Sequence, residues 1–453
     1  MTALLARAVP RIGPGAGRAR VPLTPHQRRW LLVILAVGAL VRLVWTIYAT
    51  REPISLFVSG DPYAYYFYGQ ELAAGRGYVN ILNGEPTAYY PVGYPAILAV
   101  LFWIVQHTPI PDNLVLTGTL LNAALGTLSI GLVFVIARRI LGIGAALVAA
   151  GIVAVFPSLV IYVATLQLET VFIFLVLAAV AVLVTHDWST GPPSRGRLVA
   201  FGLVLGLSVL VRPFSLPILF VLGVALLIAR CGWRRAAAAV GLATIATVAV
   251  VAPWTIRNWV VMDAFVPFST NTGDGLCIDR SLDATGTFRW SVHEGCASGI
   301  GVPAEEYEVH QNRENTRLGL EFIRDHPGKE LELVGRRAWF MMEHDHDGVT
   351  AVEVGRQRPF LGHRLRTILS TSADWFFYVV AVLADRIGPV RVGVRPMRSS
   401  SVPSWCCRRA HAVRQRPLPH ADAAWPSPPS PHHRGPAARS PFSGQVARAS
   451  MTG

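Results

Sequence analysis

The sequence predicts an all-α polytopic membrane protein with about eight transmembrane helices. Three observations lead to this class. Of the 453 residues, 52% are hydrophobic and only 15% are charged. Several apolar runs approach the roughly 20 residues that a helix needs to cross a bilayer. Basic residues gather at turns between these runs and at both ends of the chain, as they do on the cytoplasmic side of membrane proteins.

The excess positive charge lies outside the apolar runs. The formal net charge is +14, but residues 389–453 alone hold ten arginines and one acid, and residues 1–29 hold six arginines and no acid. Such flanking charge follows the positive-inside rule and does not indicate a nucleic-acid partner. Membrane lipid is the expected environment. The sequence has no Gly-rich phosphate loop of the nucleotide-binding kind, so it does not support a nucleotide-sugar donor.

The predicted order of segments begins with a disordered basic cytoplasmic segment at 1–29. A transmembrane core follows at 30–256 and includes a first external loop at 50–114. An external domain is expected at 257–367, and a last transmembrane helix at 368–388. Within the core, the apolar runs predict spans at 30–48, 115–137, 142–162, 169–185, 198–211, 214–229 and 236–254.

The apolar run at 95–106 is short for a span, and we expect a juxtamembrane helix there. If this run crossed the membrane, Arg138 and Arg139 at the next turn would lie outside. If it lies along the interface instead, this turn and the later basic turns at Arg195 and Arg230 all fall inside. Only the second arrangement satisfies the positive-inside rule at every turn. The first external loop is therefore predicted to contain a helix that does not cross.

The segment 257–367 predicts a small external domain of mixed strands and helices. Its pattern gives two strand-like runs and two helices, at 265–269, 287–292, 305–324 and 330–342. Cys277 and Cys296 both fall in this segment. Because an external compartment is oxidising, we expect a disulfide between them.

The tail at 389–453 changes character abruptly to Arg, Pro, Ser, His and Ala, without apolar periodicity. Such a composition does not fold on its own. Two interpretations stay open: a natural disordered basic tail, or a frameshifted translation of a GC-rich gene. No chemistry is expected there in either case.

The first external loop holds the densest group of polar and aromatic residues. One acid, Asp61, stands early in it, and tyrosines follow at many positions. A long loop in a multi-span protein is a candidate for function. We expect four tyrosines to line a substrate-binding surface: Tyr65, Tyr89, Tyr90 and Tyr94. The alternative is a belt of tyrosines at the level of the lipid headgroups.

The order of short motifs in this loop resembles a known family. Asp61-Pro62-x-x-Tyr65 comes first, then Gly75-x-Gly77-Tyr78, then Tyr90-x-x-Gly93-Tyr94-Pro95. This pattern is similar to that of GT-C glycosyltransferases that use polyprenyl-phosphate sugars, in particular the group of dolichyl-phosphate-mannose protein mannosyltransferases and lipid A aminoarabinose transferases. The resemblance covers about residues 28–388. It implies a GT-C fold with a juxtamembrane helix in its first external loop, and an active site on the external face of the plasma membrane.

Two acids are candidate catalytic residues. Asp61 stands where the resemblance implies a catalytic acid, and a carboxylate there would serve as the base for an acceptor hydroxyl. Its alternative role is the N-cap of the following helix. Glu169 opens the span after the second external loop and matches the second acid of the family. It is expected to bind the acceptor, a metal or a nearby arginine, or to lie solvated at the interface.

Two arginines, Arg212 and Arg257, lie on the outward side and break the positive-inside rule. A bound anion explains them, because a guanidinium grips phosphate oxygens in a bidentate fork. The resemblance likewise implies that they hold the lipid phosphate of the donor. The alternatives are pairing with Asp61 or Glu169, or snorkelling towards the interface.

The acidic run 343–347 contains two histidines, but its spacing matches no zinc pattern. We therefore expect a solvated turn and assign no metal ligands. The sequence indicates no cofactor, although a divalent metal is compatible with it.

These observations predict a membrane glycosyltransferase. It would move a hexosyl or pentosyl unit, with inversion, from a polyprenyl-phosphate donor to a hydroxyl on a glycan, lipid or protein acceptor. A lipid or sugar transporter, such as a flippase, is the alternative, since it too would bury charges inside a bundle. A receptor-like scaffold without activity is a third possibility, which the outward-facing acids and arginines disfavour.

Overall fold

A computed structural model of the chain describes residues 22–391, with gaps at 54–59, 82, 110–112, 189–190, 230, 279, 288–295, 297–303 and 355. The predicted basic segments at the two ends, except for residues 22–29 and 389–391, lie outside the described residues. Within the described part the secondary structure is helical, and the predicted all-α class is confirmed.

Fifteen α-helices are described, together with short 3₁₀ turns at Tyr162–Ala164 and Pro213–Ser215. In chain order the helices are α1 (Pro25–Ala49), α2 (Asp61–Ala73), α3 (Gly93–Gln106), α4 (Leu114–Leu141), α5 (Ile143–Val155), α6 (Pro157–Ile161), α7 (Glu169–Val184), α8 (Arg195–Val211), α9 (Pro217–Ile228), α10 (Trp233–Met262), α11 (Thr272–Cys277), α12 (Ala304–Asp325), α13 (Pro327–Glu343), α14 (Asp347–Ala351) and α15 (His363–Arg391).

Helices occupy all the positions where the sequence predicts spans. Among the described residues, four are long and apolar enough to cross a membrane, namely α1, α4, α10 and α15. The bent pair α5 and α6 makes a fifth if it is one broken span. Helix α7, and α9 together with the turn before it, are apolar but shorter. The count of eight spans therefore stays a prediction.

Helix α3 is the short helix predicted in the first external loop. Its 14 residues extend about 21 Å at 1.5 Å per residue, less than the hydrocarbon thickness of a bilayer. Its first residue, Gly93, lies against the end of α8, where an added Cβ would approach the backbone of Leu210 and Val211 to 2.6 Å. Because no side chain fits there, the glycine lets the loop dock directly beside Arg212.

A buried arginine stabilises the break between α5 and α6. The two helices meet at Phe156 and Pro157 with a bend of 57°. Arg42 of α1 is 1% exposed and donates hydrogen bonds to the carbonyls of Val153 and Ala154, at 3.0 and 2.8 Å. Proline cannot continue the helical ladder, so these carbonyls need another donor. Arg42 supplies it from within the bundle.

The predicted strand at 265–269 is wrong. This segment has no ladder partner, and its carbonyls instead accept hydrogen bonds from side chains of α10. Trp254 bonds the carbonyl of Phe268 at 2.7 Å, and Asn258 bonds that of Val266 at 3.0 Å. Of the second predicted strand, 287–292, only Thr287 lies within the described residues. The described part of 257–367 is therefore helical rather than mixed, and α10 runs past 257 to Met262.

Candidate active site

Asp61 is the first residue of α2, and its carboxylate faces the loop rather than the helix. The N-cap position belongs to Gly60, and no side chain caps the helix there. Instead, Oδ1 of Asp61 accepts a hydrogen bond of 2.7 Å from the phenol of Tyr90. The alternative that Asp61 serves as an N-cap is therefore wrong. Asp61 itself is exposed, so its carboxylate is open to a substrate.

The four predicted substrate-loop tyrosines form one aromatic cluster next to Asp61. Tyr65 packs edge to face against Tyr90 and Tyr94, with ring centroids 5.2 and 5.4 Å apart. Tyr89 packs against Tyr90 at 5.1 Å. Edge-to-face pairs at these distances are favourable beyond the area that they bury. The hydroxyl of the fully buried Tyr94 accepts a hydrogen bond from Asn122 of α4, which ties the cluster to the helix bundle.

Glu169 and Arg212 form an ion pair. Glu169 begins α7 and Arg212 follows α8 in extended backbone; Nη1 of the arginine lies 3.4 Å from Oε1 of the glutamate. The arginine side chain is 41% exposed and the glutamate side chain is 35% exposed. The guanidinium also lies 5.9 Å from the ring centroid of the exposed Phe214. Among the described residues, Oε2 of Glu169 has no hydrogen-bond partner although it is buried. The pair therefore leaves both partners with unused hydrogen-bonding capacity.

Tyr65 links the two acids. Burial raises the pKa of Tyr65 well above its ordinary value, and the charges of Asp61 and Glu169 raise it further. The sequence neighbours of Glu169 and Arg212, Leu168 and Val211, pack in one hydrophobic cluster with Tyr65 and Tyr94. The predicted residues Asp61, Glu169 and Arg212 thus gather around the loop tyrosines. The arrangement offers an exposed carboxylate as a base and a guanidinium as an anion ligand.

Arg257 makes different contacts from Arg212. Its guanidinium donates to the carbonyl of Thr87 at 2.7 Å and to that of Tyr78 at 2.9 Å. It also lies 5.0 Å from the ring centroid of Trp254. In the part of the chain that the structure describes, it pairs with neither Asp61 nor Glu169. Arg257 therefore fastens the loop between α1 and α4 to α10.

Two acids that the sequence analysis missed also hold this loop. Glu308 of α12 accepts hydrogen bonds from the hydroxyl of Thr87 at 2.5 Å and the amide of Ala88 at 2.9 Å. Asp274 of α11 is buried and accepts a hydrogen bond of 2.7 Å from the phenol of Tyr89. Polar positions three and seven residues after Glu308 also face this junction, because Gln311 and Asn315 both bond Asp274. That helical spacing was the available signal in the sequence.

The acidic run 343–347 forms a junction between helices. His346 hydrogen-bonds Asp374 of α15 at 2.8 Å, and Asp345 accepts a hydrogen bond of 2.6 Å from Ser158. Within the described ranges, no three His, Cys, Asp or Glu side chains are placed to hold a metal ion. Cys277 and Cys296, predicted to pair, are joined by a disulfide with Cα atoms 5.9 Å apart.

Comparisons with known proteins give structural matches only. No family model and no curated protein matches the sequence. One solved structure is the archaeal oligosaccharyltransferase AglB from Archaeoglobus fulgidus with an inhibitory peptide and a dolichol-phosphate, at 13% identity and a TM-score of 0.41, covering 86% of this chain and 39% of that one. The apo form of the Archaeoglobus fulgidus oligosaccharyltransferase matches at 14% identity and a TM-score of 0.42. The match covers 89% of this chain and 41% of that one. The form tethered to an acceptor peptide matches at 14% identity and a TM-score of 0.42. The match covers 81% of this chain and 38% of that one. The chain thus spans about two fifths of the length of these structures, and a likeness at this level assigns no activity.

Proposed function

We propose that the chain is a membrane glycosyltransferase. It moves a monosaccharide from a polyprenyl-phosphate donor to an acceptor hydroxyl on the external face of the plasma membrane, with inversion at the anomeric carbon. One observation carries the proposal: Asp61, held by Tyr90, and the Glu169–Arg212 pair flank one packed cluster that contains Tyr65, Tyr94 and the neighbours of the pair, Leu168 and Val211. A base and an anion-binding group are the two requirements for transfer from a phosphate to a hydroxyl.

In this mechanism Asp61 accepts the proton of the acceptor hydroxyl as its oxygen attacks the anomeric carbon. The bond between that carbon and the phosphate oxygen breaks, and the phosphate leaves with the bonding electrons. The charge that develops on the phosphate is stabilised by Arg212, whose planar fork matches phosphate oxygens. The hydrogen bond from Tyr90 fixes the direction in which the carboxylate points.

Glu169 holds Arg212 in place before the donor arrives. A single contact of 3.4 Å between partly exposed groups is weak, so the monoanionic phosphodiester of the donor competes well for the guanidinium. Arg257 supports the loop through its hydrogen bonds to the carbonyls of Tyr78 and Thr87. We assign it the role of shaping the loop, in addition to any attraction that its charge exerts on the donor.

One specific observation favours the transporter alternative, namely the bent pair of helices α5 and α6. Discontinuous helices near buried charges are common in transporters. Here, however, the polar contacts of Arg42 are made to backbone carbonyls of Gly38, Val153 and Ala154. A charge that caps a broken helix in this way stabilises the bundle. We therefore place the transporter second.

The two functions are separated by following a donor with the purified protein in lipid. Labelled polyprenyl-phosphate hexoses and pentoses are offered together with glycan, lipid and protein acceptors. A glycosyltransferase releases free polyprenyl phosphate from one of the donors in the presence of its acceptor. A transporter moves the intact donor across the bilayer and releases none. Absence of release from every donor, with intact donor appearing in the other leaflet, would contradict the proposal.

A further inference from the structure

Helix α13 presents an apolar face that the described residues leave uncovered. Leu331 is 74% exposed and Met341 is 78% exposed, while Val334 and Met342 are more than half exposed. These positions follow a spacing of three, seven and one residues, which places them on a single side of a helix. Ala338, also exposed, lies between them. The face is continuous along almost the whole helix.

A neighbouring side of α13 attaches the helix to the rest of the chain. Leu333 is fully buried there, and Glu330 forms an ion pair of 3.0 Å with Arg280, which precedes α12. A second pair of 3.1 Å, between Glu330 and Arg337, lies within α13. The exposed apolar face is therefore presented outward by a docked helix, and it is not a by-product of a loosely attached one.

The end of α13 meets a helix that is long and apolar enough to cross the membrane. The carbonyl of Glu343 accepts a hydrogen bond from Tyr378 of α15. The chain immediately after it is tied to Asp374, also of α15, through the amide of Asp345 at 2.7 Å. Trp375 and Val379 of α15 are themselves more than half exposed, as lipid-facing residues of a span are. The C-terminal end of α13, next to Met341 and Met342, therefore meets the helix that carries these exposed apolar side chains.

We propose that α13 lies along the membrane surface, with Leu331, Val334, Met341 and Met342 inserted among the upper acyl chains. Trp339, 67% exposed beside this face, suits the headgroup level, where its amphipathic ring is favoured. The occupant that we infer for the face is lipid, because α13 ends against α15, a helix that is long and apolar enough to cross a membrane. The charged residues of α13 are three acids and three bases, so the binding does not depend on anionic lipid.

The experiment places an environment-sensitive fluorophore at single cysteines in the full-length protein, reconstituted in phosphatidylcholine nanodiscs. Cys231, Cys406 and Cys407 are first replaced by serine, and the Cys277–Cys296 disulfide is retained. Leu331→Cys and Met341→Cys probe the apolar face. Glu332→Cys and Arg336→Cys are matched controls on the polar side of the same helix. All four side chains are exposed, so no label is placed at a buried position, and both controls lose the surface ion pair between Glu332 and Arg336.

Quenching by a nitroxide near the top of the acyl chain is compared with quenching by aqueous iodide. We expect the nitroxide to quench Leu331→Cys and Met341→Cys at least about twofold more than the controls, because the apolar face of an interfacial helix lies about 5–10 Å into the headgroup–acyl boundary. Iodide should show the reverse order. Equal iodide quenching at all four positions would overturn the proposal. Protection of the apolar positions from both quenchers would also overturn it, because the face would then be covered by protein, such as a second copy of the chain.

Discussion

The phenol of Tyr90 donates a hydrogen bond of 2.7 Å to the carboxylate of Asp61, across 29 residues of the first external loop. The segment that carries Tyr90 is itself fixed from outside, because Tyr89 bonds Asp274 and Ala88 bonds Glu308. The direction of the Asp61 carboxylate therefore depends on helices α11 and α12, which lie about 200 residues later in the chain. This connection is what a preorganised base requires.

Tyr90→Phe tests this connection. The substitution removes the hydrogen bond to Asp61 and keeps the ring that packs against Tyr65 and Tyr89. We expect the turnover of transfer to fall about 10-fold, which corresponds to one charge-assisted hydrogen bond of roughly 1.5 kcal/mol, with little change in the donor KM. Steady-state kinetics with the donor measure both constants. Tyr63→Phe is the matched control, since its ring contacts Phe67. Wild-type turnover in Tyr90→Phe would show that the contact does not orient the base.

The two outward arginines should respond differently to substitution. Arg212→Ala should raise the donor KM, and Arg212→Lys should recover only part of the loss, because an ammonium lacks the bidentate fork. Arg257→Ala should instead speed amide hydrogen exchange in the loop around Tyr78 and Thr87, whose carbonyls it holds. Donor kinetics and hydrogen exchange on both variants separate the roles. Faster loop exchange in Arg212→Ala, with none in Arg257→Ala, would reverse our assignment.

The buried loop tyrosines should lower the stability of the folded protein at alkaline pH. Burial raises the pKa of Tyr89 and of Tyr90 above the ordinary value of about 10, and the charges of Asp274 and Asp61 raise them further. Above pH 10 the folded state thus binds more protons than the unfolded state, so the free energy of unfolding falls as pH rises. Thermal unfolding between pH 9 and about pH 11 should show a smaller loss in the double variant Tyr89→Phe/Tyr90→Phe than in the wild type. Parallel curves would contradict this account.

Arg42 should matter for stability and not for chemistry. Arg42→Met leaves the carbonyls of Val153 and Ala154 without their buried donor, and we expect a cost of roughly 1–3 kcal/mol. Arg42→Lys should restore part of it. Thermal unfolding in nanodiscs measures the effect, and Leu43→Met serves as control because Leu43 is exposed on the same helix. An unchanged unfolding temperature in Arg42→Met would mean that the bend of α5 and α6 does not need this cap.

The sequence predicted what local patterns and short-range rules determine. The helices at the span positions follow from apolar length, and the short α3 follows from the charges of later turns. Asp61 and its tyrosines were found because they lie within one loop. Glu308 and Asp274 were missed because their partners in that loop are about 200 residues away and share no periodic pattern with them. The role predicted for Arg257 was incomplete for a related reason. The positive-inside rule concerns charge and does not predict that backbone carbonyls are the hydrogen-bond partners.

The strand predicted at 265–269 failed for a different physical reason. Phe265, Val266 and Phe268 are residue types that favour strands, but residue type does not determine what satisfies the backbone. Side chains of α10, including Trp254 and Asn258, take up the carbonyls that a neighbouring strand would otherwise bond. Local propensity was therefore overridden by contacts with the preceding helix.

The most direct test of the proposed mechanism is Asp61→Asn. An asparagine keeps an oxygen that accepts the hydrogen bond from Tyr90, and the helix start is unaffected because Gly60 occupies the N-cap. The substitution removes the negative charge and, with it, the capacity to take a proton. Glu71→Gln is the matched control, since Glu71 lies on the same helix and pairs with Arg76. The measurement is the release of free polyprenyl phosphate by purified protein in lipid. We predict a fall of roughly 100-fold or more in Asp61→Asn, with donor binding retained, because a positioned general base contributes about 10²–10⁴. Turnover close to that of the wild type in Asp61→Asn would contradict the mechanism.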